Sequence, residues 1–277
     1  MAKKVEKPYY QEFKNILGKK LDVIIKQIEP ENSGALFENL TPEAVSLKDL
    51  ATGVTKHPFR YYQKEAIYTL HHIYKDAINI AKSPLDIQKN LLRQVQYKHI
   101  TPLLEVVDND TKRKAPFIGF EMATGSGKTM LMGASVYYLH KFHQVKNFLI
   151  ITPSSTEIYK KTIRNFTKGS NDTVWNDDVP FKFNLINGDN YKDTKDLYHS
   201  DTDANIFIFN ITKFGTNATN TKKEWEGSIW KDKEGNTISL LEFLAQNDLV
   251  IITDEAHHAQ SRKAKQVINS FKPLAVL

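Results

Sequence analysis

The chain contains no cysteine, so disulfide staples and thiolate metal sites are excluded, and the lack fits a reducing compartment. No apolar run approaches the roughly 20 residues that a bilayer-crossing helix needs. The start, Met1-Ala-Lys-Lys-Val-Glu-Lys7, has none of the apolar stretch of a secretory leader. These absences direct the expectation to the cytoplasm, without a membrane partner. No internal repeat is found. What is present is ordinary for a soluble globular protein: 277 residues, 40% hydrophobic and 25% charged, enough for one large core or two small ones. A net charge of +6 permits a polyanionic partner without requiring one.

The most informative stretch is Phe117-Ile-Gly-Phe-Glu-Met-Ala-Thr-Gly-Ser-Gly-Lys-Thr-Met-Leu-Met132. Phe117 to Phe120 form a short apolar run of strand type, and Gly125 and Gly127 break it. From Thr129 the apolar residues Met130, Leu131, Ala134, Tyr137 and Leu139 recur at roughly helical spacing. Taken alone, this is a glycine-rich turn before a surface helix. Strand, glycine loop and helix in that order also make a phosphate cradle, because glycines let successive backbone N–H groups converge on an anion at the positive end of a helix. Thr124, Gly125, Ser126 and Gly127 would form the loop, Lys128 would reach the β- and γ-phosphates of ATP, and Thr129 would ligate Mg²⁺. The general pattern asks for glycine at position 122, where this chain has Met122.

Upstream, Tyr9, Phe13, Ile16, Leu17, Leu21, Ile24, Ile25 and Ile28 predict an amphipathic helix or helix pair ending at Pro30. Glu31 to Thr55 is broken by Ser33-Gly34, Thr41-Pro42 and Gly53, so residues 1–56 are read as a helical extension with a solvated, lysine-rich face. His57-Pro-Phe-Arg-Tyr-Tyr-Gln63 opens a helix running to about Ala81. Gln63 is unremarkable by itself. Beside a phosphate loop its amide, donor and acceptor together, can match N6 and N7 of adenine, with Arg60 nearby. A second helix is predicted over Pro84 to His99 and a polar connection over Val106 to Lys114.

Downstream the chain alternates. Phe148 to Thr152 reads as a buried strand, Ser155 to Phe166 as a helix, Phe181 to Asn187 and Ile206 to Asn210 as strands. Helix Ile238 to Gln246, strand Leu249 to Thr253 and helix Arg262 to Phe271 follow, after a long loop or hairpin excursion over Gly215 to Thr237. This is a βαβ series, so the expected fold class is α/β, a doubly wound, mostly parallel sheet with helices on both faces.

The last of those strands ends Leu249-Val-Ile-Ile-Thr-Asp-Glu-Ala-His-His258. Two acids ending a buried strand can be a plain solvated terminus. In a phosphate-loop fold they are the carboxylates beside the metal: Asp254 would hold Mg²⁺ and Glu255 would orient and deprotonate the attacking water.

Gln63, Met122-Ala-Thr-Gly-Ser-Gly-Lys-Thr129, Thr152-Pro-Ser-Ser155 and Asp254-Glu-Ala-His257 together resemble the first RecA-like domain of a superfamily-two helicase or translocase of the DEAD/DEAH group, over roughly residues 57–277. Within that group the phosphate loop, Asn210-Ile-Thr-Lys-Phe214 and Asp-Glu-Ala-His-His are most similar to the motor subunits of ATP-dependent restriction endonucleases, type III more than type I. The resemblance implies a RecA-like ATPase domain acting on double-stranded DNA, with a DNA methyltransferase (modification) subunit as partner and ATP and Mg²⁺ as cofactors. It places Thr152, Pro153, Ser154, Ser155 and Thr212 on the face that grips the nucleic-acid backbone. Hydroxyls, helix-start N–H groups and lysines are what phosphate contacts are made of. Lys160, Lys161, Arg164 and Lys168 would extend that face or simply form a solvated basic helix. His257, with His258, would relay nucleotide state to that face or serve in packing.

The sequence also departs from the family. A further motif, a second RecA-like domain with its arginine finger and a nuclease domain are expected after the strand at Pro273-Leu-Ala-Val-Leu277. The chain is therefore read as a fragment that binds nucleotide and hardly turns it over. The long interval from Gln63 to Lys128 is read as an inserted helical element. A second class of function stays open: a nucleotide-regulated remodelling or RNA-binding switch on the same fold. The presence of Glu255 favours the enzyme, since a dead relative would be expected to lose that base.

Overall fold

A computed structural model describes residues 55–60, 63, 66, 67, 70, 118–120, 122–179, 181–191, 204–210, 230, 231, 234–255 and 267–277. The expected helices and turns before residue 55, the helix over 84–99 and the connection over 106–114 lie outside these. So do Thr212, His257, His258 and most of the helix expected over 57–81, of which residues 63, 66, 67 and 70 are helical.

In chain order the elements are α1 (Lys128–His143), β1 (Asn147–Thr152), α2 (Thr156–Phe166), β2 (Phe183–Asn187), β3 (Ala204–Asn210), β4 (Trp230–Lys231), β5 (Thr237–Ile238), α3 (Leu240–Gln246), β6 (Leu249–Thr253) and β7 (Ala275–Val276). Five strands form one sheet in the order β2-β3-β1-β6-β7, and every neighbouring pair is parallel. β4 and β5 pair separately as a small antiparallel hairpin at the end of the excursion expected over Gly215 to Thr237, of which residues 230, 231 and 234–237 are described.

β1, β3 and β6 are mostly apolar because both faces are covered, and alternation along each strand divides the apolar side chains between two cores. Phe148 and Ile150, Ile206 and Ile208, and Val250 and Ile252 face one side, where they meet Leu131, Val136, Tyr138 and Leu139 of α1, Phe166 of α2, and Trp175. Leu149 and Ile151, Phe207 and Phe209, and Leu249 and Ile251 face the other, against Trp230, Phe243 and Leu244 of α3, and Phe271. Each such side chain contributes about 1.5–3 kcal/mol of transfer free energy. The fold is thus the expected α/β class, a parallel sheet with helices on both faces. No helix among the described residues is long and apolar enough to cross a membrane.

Element boundaries differ from the periodicity reading for identifiable reasons. β2 starts at Phe183 because Phe181 is still in a turn, its N–H donating to Val179 O at 2.8 Å and its carbonyl accepting from Lys168 Nζ. α3 starts at Leu240 because Ile238 pairs in the hairpin and Ser239 caps the helix through a reciprocal bond set with Glu242. The expected strand over 117–120 is not a regular strand in its described part; Ile118 N–H donates to Val276 O at 2.8 Å, which lays this segment beside β7.

From β1 the chain steps outward through α2 to β2, returns through β3, and resumes with β6 on the other side of β1. The strand order therefore reverses at β1. In open α/β sheets ligands bind where that happens, beyond the carboxyl ends of the strands. The opposite ends are pinned by a polar ladder: Asn184 Nδ2 donates to Asn205 Oδ1 at 2.9 Å, Asn205 Nδ2 to Asn147 Oδ1 at 3.0 Å, and Asn147 Nδ2 to Asp248 O at 3.2 Å.

Candidate nucleotide site

The segment carrying Ile118 leaves the sheet beside β7 and enters the loop Ala123–Gly127, where Gly125 and Gly127 have φ of 73° and 84°. Only glycine takes these left-handed values freely. Ser126 N–H and Oγ both fold back onto Ala123 O, at 3.2 and 2.6 Å, which closes the turn. Gly127 is the N-cap of α1. It offers no side chain to the helix's first N–H groups, and the first turn has no acidic residue. Those N–H groups have no partner within the helix, so the positive end of a 16-residue helix opens onto the loop. Thr124 and Gly125 are exposed, while Ser126, Gly127, Lys128 and Thr129 are half-buried.

The other wall comes from β6. Thr253 N–H donates to Leu277 O at 2.7 Å and Asp254 N–H to Ile151 O at 3.0 Å, so strand pairing on both sides carries β6 up to the first acid. Glu255 then has φ 57°, a left-handed value in a non-glycine residue. Such strain costs on the order of 1 kcal/mol or more and gathers at functional sites. β7 lies between β6 and the Ile118 segment, and across its end Lys128 Nζ meets Glu255 Oε1 at 3.3 Å. Both side chains are about one-third exposed, 33% and 38%. The pair is consequently screened, worth about 1 kcal/mol or less, and is readily exchanged for stronger charge-assisted contacts.

Asp254 sits deeper. Burial pushes its pKa above the ordinary carboxylate value, the neighbouring Glu255 adds to that, and Lys128 and Lys161 pull the other way. A desolvated carboxylate at a strand end, with the Thr129 hydroxyl at the helix start, is an oxygen-only donor set that fits Mg²⁺. That ion takes one or two protein oxygens together with phosphate and water rather than an all-protein cage. No group of three or more His, Cys, Asp or Glu able to hold a metal occurs among the described residues.

Gln63 is brought to this site from far away in sequence, though not as a free amide. Its side chain is buried, Oε1 accepts from Arg60 N–H at 2.9 Å, and Nε2 donates to Ser126 O and Gly127 O, each at 3.2 Å. Arg60 itself is exposed.

The residues expected to face nucleic acid divide. Thr152 and Pro153 are buried, and Thr152 Oγ1 has no hydrogen-bond partner among the described residues. Ser154 and Ser155 are exposed at the start of α2, where Ser155 Oγ caps the helix by accepting from Ile158 N–H at 3.4 Å. Lys160 and Lys161 are exposed on α2. Arg164 pairs with Asp172 at 3.3 Å, and Lys168 is tied to the carbonyls of Val179 and Phe181 over the Phe183 ring.

Sequence reasoning missed two features of this edge. The Lys128–Glu255 contact joins two residues that the sequence singled out separately and whose proximity depends on β7. The turn after β2 is built by asparagines: Asn187 Oδ1 accepts from Asp189 N–H and Asn190 Oδ1 from Asn187 N–H, each at 2.8 Å, while Gly188 N–H donates to Tyr159 Oη of α2 at 2.9 Å. The run Asn187-Gly-Asp-Asn190 was a turn signal available in the sequence.

A glycine loop at a helix start, a lysine beyond it and a strand-terminal Asp-Glu on a parallel sheet define a RecA-like phosphate-loop NTPase domain of the helicase type. Residues 56–277 match the family model described as type III restriction enzyme, res subunit, and the chain belongs to that family, a helicase-like, ATP-dependent group of restriction subunits. No curated protein matches the chain.

Proposed function

We propose that this chain is the ATP-hydrolysing motor domain of a type III restriction endonuclease subunit, using Mg-ATP to act on double-stranded DNA in the cytoplasm together with a DNA methyltransferase subunit. The observation that carries the reading is the 3.3 Å approach of Lys128 Nζ to Glu255 Oε1, an ammonium and a carboxylate across one small gap beside the glycine loop, which supports a phosphate-binding cation facing a general base. When a triphosphate enters, Lys128 leaves Glu255 for the β- and γ-phosphate oxygens, joined by the N–H groups of the loop and the first turn of α1. Glu255, exchanging the lysine for a water, orients that water in line with the γ-phosphorus and takes its proton as the water oxygen bonds to phosphorus and the bond to the β–γ bridging oxygen breaks, with ADP and phosphate as products. Thr129 and Asp254 would hold Mg²⁺, whose charge offsets that developing on the phosphate oxygens. The exposed Ser154, Ser155, Lys160 and Lys161 lie on α2 and the turn before it, beyond the carboxyl end of β1, and supply hydroxyls, a helix start and cations for a phosphodiester backbone.

The test is ATP turnover in the presence of duplex DNA by the complete restriction complex, carrying either wild-type Glu255 or Glu255→Gln. The variant keeps the shape and loses the base, so hydrolysis should fall by roughly 10²–10⁴-fold with ATP still bound. Unchanged turnover would remove Glu255 from the chemistry and leave the fold as a nucleotide-binding switch.

A further inference from the structure

We infer that Asn190 closes the open edge of the sheet: its side-chain amide stands in for one residue of a further parallel strand, and so keeps β2 from pairing with β2 of a second copy of this chain. Among the described residues β2 and β7 are the outer strands. β7 is covered by the segment carrying Ile118, whose N–H donates to Val276 O at 2.8 Å. β2 has no described strand on its outer side. Such an edge presents a row of peptide groups on which another chain can build, and the usual guards are charge or proline within the strand. The five residues of β2, Phe-Asn-Leu-Ile-Asn, include neither.

Register shows which groups the edge presents. Ala204 N–H of β3 donates to Lys182 O at 3.3 Å, so by alternation Asn184 and Ile186 turn their peptide groups toward β3, and Phe183, Leu185 and Asn187 turn theirs outward. In a parallel pair, a residue opposite Ile186 would donate its N–H to Leu185 O and accept at its carbonyl from Asn187 N–H. Asn190 makes that same pair of bonds with its side chain: Nδ2 donates to Leu185 O at 3.0 Å, and Oδ1 accepts from Asn187 N–H at 2.8 Å. Its amide has one workable orientation, since a carbonyl only accepts and an N–H only donates. The next outward group, Asn187 O, accepts from Tyr191 N–H at 3.0 Å. The turn holds the amide in place, for Asn187 Oδ1 accepts from Asp189 N–H at 2.8 Å and Gly188 N–H donates to Tyr159 Oη at 2.9 Å. The carboxyl half of the edge is thus satisfied within the chain. With the amide removed, Leu185 O and Asn187 N–H would join the outward groups of Phe183 and the Leu185 N–H in a continuous template. Two such edges related by a two-fold axis pair antiparallel.

The experiment is sedimentation velocity over a dilution series of the full chain, for the wild type, Asn190→Ala and Asn190→Ser, with thermal midpoints and backbone amide exchange measured on the same samples. The wild type should keep one sedimentation coefficient across the series, with the Asn187 amide protected and the Leu185 amide exchanging freely. Both variants should move toward twice the monomer mass as concentration rises, with the Leu185 and Asn187 amides protected in the associated form only. Serine suits a turn, so its result decides if the alanine variant does not fold. The same mass for variants and wild type across the series would overturn the inference, and a lower midpoint in such variants would reduce Asn190 to a residue that stabilises the turn. Association with both amides still exchanging freely would overturn it as well, by placing the contact elsewhere. One outcome needs no variant: a wild-type Asn187 amide that exchanges as fast as that of Leu185 would show that Asn190 does not hold the edge.

Discussion

Asp254 shows what a single residue gives up for the site. Burial first and Glu255 second hold its pKa above the ordinary carboxylate value. A carboxylate with a raised folded-state pKa favours folding while protonated, and that contribution is lost as pH rises from the unfolded value through the folded one. At neutral pH the charged Asp254 is therefore a liability in the free protein. Asp254→Asn should raise the thermal midpoint at neutral pH, with the gain shrinking as pH falls toward the carboxylate range, while weakening Mg²⁺-dependent nucleotide binding. A lower midpoint at every pH would contradict this account. For the same reason Mg²⁺ affinity should decline on acidification sooner than for an ordinary aspartate. Asp254 could be singled out as a candidate from Leu249-Val-Ile-Ile-Thr-Asp-Glu255. Its burial was not, since that depends on which neighbours the sheet order brings alongside.

At the scale of elements, the apolar strands and the main helices could be read from periodicity because β1, β3 and β6 are buried on both faces and leave no polar alternation to confuse the pattern. Their polar pins could not. Asn147, Asn184 and Asn205 read individually as strand-weakening residues, and only register shows that Asn205 stands beside both of the others. Asn205→Ala should remove the middle of the ladder, take from Asn147 Oδ1 the donor it has in Asn205 Nδ2, and cost about 1–3 kcal/mol for the buried acceptor. Because the ladder lies at the amino ends of the strands, away from Lys128 and Glu255, nucleotide affinity in the folded variant should not change. Chemical denaturation together with ATP titration checks both halves. A smaller device acts at α3: Ser239 bonds hold the Glu242 carboxylate below its usual pKa, so this cap contributes stability above that range and loses it as pH falls. Ser239→Ala should cost about 0.5–2 kcal/mol.

For the whole molecule, the sheet is a frame that delivers three distant segments to one edge: the helix start carrying Gln63, the glycine loop with Lys128, and the end of β6 with Asp254 and Glu255. The order β1-β6-β7, with the Ile118 segment beside β7, sets the width of the gap between loop and acids. The sequence named the loop and the acids because their chemistry is written locally. It showed a strand at Pro273-Leu-Ala-Val-Leu277 but not its place as the spacer between them, because sheet order is set by the pairing with Val250 and Ile251 and by the hydrogen bond from Ile118, which periodicity does not encode. The central claim is that this gap is a nucleotide site with Lys128 as its phosphate-binding cation. Calorimetric titration of Mg-ATP into the wild type and Lys128→Ala tests it most directly. The account predicts saturable binding to the wild type and none, or affinity lowered by at least about tenfold, in the variant; equal affinity in the two proteins would contradict it.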